Sequence, residues 1–96
     1  MRRKQTQHIG EILKEFINVM KISRKMNEMR VINGWENLVG KQISKYTSQV
    51  SIKNRTLFVS LTSSVIRNEL FLHREQLLKN INESAGMQLI EQIVLR

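Results

Sequence analysis

The apolar positions of the chain change period along its length, and the changes mark out its elements. Between His8 and Lys21, the residues Ile9, Ile12, Leu13, Phe16, Ile17 and Met20 recur at steps of three and four, the stripe of an amphipathic helix. Ser23 to Glu28 falls out of that phase. Met26 and Met29 do not continue the stripe, so a turn or short helical piece is expected there, with Ser23 or Asn27 as N-cap. From Arg30 a second face gathers Val31, Ile32, Trp35, Leu38, Val39, Ile43 and Tyr46, which predicts a helix to about Lys45 with Gly34 and Gly40 inside it. An interior glycine costs about 1 kcal/mol relative to alanine, so these two suggest close packing against another backbone.

The period then drops to two. Ser48, Val50 and Ile52 share one face of a strand that opens at Thr47, and Gln49, Ser51 and Lys53 share the other. Asn54-Arg55 reads as a two-residue hairpin turn, because Asn tolerates the left-handed conformation such a turn requires. Thr56 to Thr62 follows as a second strand with Leu57, Val59 and Leu61 on one face. Ser63-Ser64 ends it and caps a long helix to about Ser84, whose stripe of Ile66, Leu70, Leu77 and Ile81 is widened by Phe71 and Leu78. Gly86 is a helix stop, and Ile90 to Leu95 a last short strand. The order α-α-β-β-α-β predicts an α+β fold, a three-stranded sheet with helices packed on one face. Its last helix is long enough to return the third strand parallel to the second by a right-handed crossover.

Composition narrows the function. Ninety-six residues suit one domain, divided into a basic N-terminal arm, 1–7, and a single domain, 8–96. The absence of Cys excludes disulfides and thiolate metal sites. Glu11, Lys14, Glu15 and Asn18 interrupt the apolar positions after the basic start, so neither a signal sequence nor a membrane span is expected and the cytoplasm is the expected location. The formal net charge is +8, and residues 1–55 carry twelve Lys/Arg against four Glu while residues 56–96 carry four of each. The excess is either a solvated surface or a footprint for nucleic acid or an acidic protein.

Catalytic chemistry is hard to assemble from this inventory. There is no phosphate-binding GxxxxGK[ST] loop, no HExxH and no Asp. His73 falls in line with Ile66, Leu70 and Leu77, which reads as a partly buried core histidine. The expectation is a protein that is not an enzyme, with no cofactor, no metal and no small-molecule substrate.

One ordered set of residues runs through these elements: Trp35 with Leu38-Val39-Gly40, Tyr46-Thr47 before the hairpin, Ser63-Ser64 after it, Glu69-Leu70, Ile81-Asn82 and Gly86. The set resembles the DciA family of bacterial replicative-helicase loaders over residues 8–96. The resemblance implies a K-homology-like (KH-like) fold, a cytoplasmic location and partnership with the DnaB-type replicative helicase. It also implies DNA contact through a basic surface and no use of ATP by the chain itself. Many family members carry Trp in the helix after the serine pair, where this chain has Ile66. The GxxG loop with which KH domains grip nucleic acid is absent.

Trp35, Leu38, Val39 and Tyr46 share a helical face and are expected in the core, where Trp35 organises the junction of helices and hairpin. A partly exposed Trp35 at a partner interface is the alternative. For DNA, the expected contacts are Arg2, Arg3 and Lys4 in the arm, Lys21, Arg24 and Lys25 at the first interhelix turn, and Lys53 and Arg55 at the hairpin. Few aromatics remain to stack on bases, so binding is expected to be non-specific and salt-dependent. A stand-alone KH-like RNA-binding protein and a structural protein-interaction module are the competing readings.

Overall fold

The structure is a computed structural model that describes residues 2–96, with side chains from Gly10 onward. Its centre is a three-stranded sheet in the order β1-β2-β3. β1 (Thr47–Lys53) pairs antiparallel with β2 (Thr56–Leu61), and β2 pairs parallel with β3 (Gln92–Leu95). The hairpin turn is the expected one: Asn54 and Arg55 both take positive φ, 51° and 59°, the backbone of a two-residue turn whose twist matches the strands it joins. Leu57, Val59 and Leu61 project from one face of the central strand into the core. The helices cover that face, in the α+β arrangement the pattern predicts.

Three helical segments depart from expectation. α1 (Arg2–Asn33) is one continuous helix through Ser23 to Glu28, where the loss of phase suggests a turn. The phase changes there because polar side chains face the domain. Arg24 donates to the Leu89 carbonyl at 3.2 Å, and the Asn27 amide lies 3.3 Å from the Met87 sulfur. Arg, Lys, Met and Glu are good helix formers, so nothing local breaks the helix. The expected helix from Arg30 to Lys45 is instead the end of α1 followed by two single turns, α2 (Trp35–Val39) and α3 (Lys41–Lys45). Gly40 separates them at φ 90°, a conformation closed to most other residues. At Gly34 an added Cβ would lie 3.0 Å from the Arg30 carbonyl oxygen.

The expected long helix after the serine pair is also divided, into α4 (Ser64–Leu72) and α5 (Arg74–Ala85). Ser63 caps it as expected, its hydroxyl accepting from the Ile66 amide at 3.3 Å. The break falls at His73, whose N–H bonds the Leu70 carbonyl three residues back at 3.1 Å. The tightened turn moves His73 off the stripe of Ile66, Leu70 and Leu77 and leaves it exposed rather than in the core. Gly86 ends α5 in the left-handed conformation, φ 68°, as its position predicts. β3 starts at Gln92 rather than Ile90.

The core gathers Val31, Trp35, the three β2 residues, Ile66, Leu70, Leu77, Ile81, Leu89 and Ile90. Leu89 and Ile90 reach it from the segment between α5 and β3, which has no ladder of its own. Asn82 supplies the missing partners. Its Oδ1 accepts from the amides of Leu89 and Ile90 at 2.9 and 3.0 Å, and its Nδ2 donates to the Ile90 carbonyl at 3.0 Å. Buried backbone polar groups require such partners, so one side chain of α5 sets the path by which the chain enters β3.

Candidate nucleic-acid interface

Trp35 is 4% exposed, and its indole N–H donates to the Thr47 hydroxyl at 3.0 Å. That hydroxyl donates onward to the Ile43 carbonyl at 2.7 Å. A short relay therefore joins the Trp35 ring, the last turn of α3 and the first residue of β1. Leu38 and Val39 are half-buried against the same core. Tyr46 is not with them. Expected in the core, it stands at the surface, 36% exposed. The reversal of direction at Gly40 takes it off the Trp35 face, and it serves through its backbone: its carbonyl accepts from the amide of Thr62 at 2.8 Å and from the Thr62 hydroxyl at 3.2 Å. Buried in this way, Trp35 offers no face to a base.

The cations expected to contact DNA divide into three groups. The side chains of Arg2, Arg3 and Lys4 lie outside the described residues. Lys21, Lys25 and Lys53 are exposed, and none makes an ion pair among the described residues. Arg24 and Arg55 are engaged within the domain. Arg24 is half-buried and holds the Leu89 carbonyl; Arg55 pairs with Glu91 at 3.1 Å, both side chains about half exposed. Arg24 is a strut between α1 and the segment before β3, and the charge of Arg55 is already answered.

The two engaged arginines show how the sequence-distant cations meet. The Glu91 amide donates to the Arg55 carbonyl at 2.7 Å, while Arg24 grips Leu89 two residues earlier. Leu89 and Glu91 are separated by at most about 7 Å of chain. The middle of α1 and the hairpin turn therefore both contact the same short segment. Lys21 and Lys25 flank one contact and Lys53 the other. Helix periodicity cannot anticipate these two contacts, because they depend on Leu89 and Glu91, residues with no cationic signal of their own. The role of Asn82 is also missed by the pattern. The one available cue is an amide side chain next to Ile81 on a buried stripe, just ahead of a helix stop and an apolar stretch without a partner strand.

Among the described residues, no group of three or more His, Cys, Asp or Glu is placed to hold a metal ion, and no helix is long and apolar enough to cross a membrane. What the geometry defines is a small α+β domain with exposed lysines on α1 and at the hairpin. The family model described as "Dna[CI] antecedent, DciA" matches residues 8–95, and the chain belongs to that family. A UPF0232 protein of Corynebacterium glutamicum (strain R) is 32% identical over 63 residues, which is 66% of this chain and 35% of that relative. The matched region thus spans about a third of the relative's length.

Proposed function

We propose that this chain is a non-catalytic accessory protein of DNA replication in the cytoplasm. It binds the DnaB-type replicative helicase, assists its placement on DNA, and itself contacts DNA weakly and without sequence preference. The observation that carries the reading is the family match over nearly the whole chain, residues 8–95. The exposure of Lys21, Lys25 and Lys53, none of them ion-paired among the described residues, supports the DNA contact. Lysine ammonium groups on flexible stems suit phosphates as point charges, and the burial of Trp35 removes the aromatic best able to stack on a base.

Most of the DNA affinity is therefore expected from counterion release. Replacing Lys21, Lys25 and Lys53 together by Gln should weaken binding to every oligonucleotide alike. It should also lower the slope of log affinity against log salt by about 2–3, the loss of three phosphate contacts. Arg24→Gln should instead lower stability, since its partner is the Leu89 carbonyl, and Arg74→Gln, whose guanidinium lies 4.1 Å over Phe71, should leave the salt slope unchanged. Fluorescence anisotropy of a labelled oligonucleotide at several salt concentrations measures all of these. Tight binding that survives high salt, or one strongly preferred sequence, would overturn the electrostatic account and favour base readout by a KH-like RNA binder.

A further inference from the structure

α1 carries a second apolar face that the domain does not cover. Counted in heptads, Ile12, Val19 and Met26 fall at the first position and Glu15, Ile22 and Met29 at the fourth, the spacing of a coiled-coil seam. Arg24 and Val31 fall at the sixth position and Asn27 at the second, and these are the residues turned to the domain. At 100° per residue the seam lies on the opposite side of the helix. Ile12, Phe16, Val19, Ile22, Met26 and Met29 are each between 47% and 62% exposed. The molecule measures 65 × 20 × 19 Å, long because α1 runs beyond the sheet, so the seam is open along its length.

We propose that this seam is a dimer interface and that its occupant is the same seam of a second copy, running antiparallel. Area is the first argument. Six large side chains each leaving on the order of 100 Å² exposed make a patch of about 600 Å², the upper end for a soluble monomer. With Ile12 opposite Ile22, the register that charge selects, the side chains of Ile12, Phe16, Val19 and Ile22 from each copy close together and bury on the order of 800 Å², the size of a weak, reversible interface.

Charge is the second argument, and it selects the direction. In a parallel pair Glu15 would meet Glu15 of the second copy within the seam, and Lys25 would flank Arg30. Both contacts are between like charges. In an antiparallel pair with Ile12 opposite Ile22, Glu15 meets Val19 and Phe16 approaches its own copy. Glu11 then flanks Lys25, and the two-fold axis makes that contact twice. Because the domain lies on the far side of α1, neither domain obstructs the pairing. The interface leaves Lys21 and Lys53 on the outside.

Sedimentation equilibrium of the full chain across the micromolar range, without DNA, tests this. The expected mass rises from one chain to two with concentration. Ile22→Glu should weaken self-association at least about tenfold while leaving the melting temperature of the dilute monomer unchanged, since the seam lies away from the core. Glu11→Lys and Lys25→Glu should each weaken it by about fivefold, and the double exchange should restore it. A mass of one chain at every concentration would overturn the proposal. So would restoration that fails in the double exchange, or a seam that takes up anionic vesicles while the chain stays monomeric.

Discussion

Replacing Trp35 with alanine is expected to lower the stability of the domain by about 3–5 kcal/mol, the usual cost of emptying a large buried aromatic site. The site is not able to collapse cheaply. Trp35 sits where the end of α1, the two short helical turns and the start of β1 meet, and each of these is held by its own backbone bonds. Trp35→Phe separates the two contributions of the side chain. It keeps most of the apolar body and removes the N–H that Thr47 accepts, so a loss of about 1–2 kcal/mol is expected. Urea melts of the three proteins give the comparison. A midpoint for Trp35→Ala equal to that of the parent would contradict the placement of this ring in the core.

Asn82→Leu is expected to cost about 2–4 kcal/mol although it preserves the size of the side chain. The Leu89 amide keeps a second partner in the Met87 carbonyl at 2.9 Å. The buried amide and carbonyl of Ile90 lose the partner Asn82 gives them, at about 1–3 kcal/mol each. Asn82→Asp should be similarly damaging. It keeps the acceptor but removes the Nδ2 donor and sets a carboxylate against the Ile90 carbonyl. The damage should also be local to β3, because Asn82 fixes the chain just before that strand. Hydrogen exchange should therefore show protection lost first at Ile90 and along Gln92–Leu95, ahead of the β1–β2 hairpin. A uniform loss across the sheet would show that Asn82 contributes generally rather than by positioning this segment.

Both residues illustrate what was legible in the sequence. The strands could be read because each is a run of period two bounded by turn residues, and Asn54-Arg55 can adopt only a few backbone conformations. The cap at Ser63 and the stop at Gly86 are local signals read locally. The helix boundaries were harder, and for one reason: periodicity reports which side chains are apolar, not which side of the helix is covered. In α1 the covered side carries Arg24 and Asn27, while Val19, Ile22, Met26 and Met29 face outward. A change of apolar phase therefore looks like a break where the helix continues. At Gly40 and His73 the opposite happens. The stripe continues across a real change of direction, and Tyr46 and His73 are lost from the core by it.

The candidate interface shows the same division. Lys21, Arg24, Lys25, Lys53 and Arg55 can be picked out by charge and by their place in the chain. Their partners cannot. That Arg24 is a strut and Arg55 is answered by Glu91 follows from the course of residues 89–91, which Asn82 sets. Of the candidates whose side chains are described, those left to meet phosphate are lysines, which suits weak contact without sequence preference better than base-specific readout.

If this domain acts on the replicative helicase, the two proteins must bind each other. Purified chain and purified DnaB-type helicase from the same cell, mixed at micromolar concentration and followed by sedimentation velocity, test it most directly. The chain is expected to move with the helicase, and the mixture to engage single-stranded DNA faster than the helicase alone, with no nucleotide hydrolysis by the chain by itself. Separate boundaries for the two proteins at every ratio, with helicase loading unchanged, would contradict it.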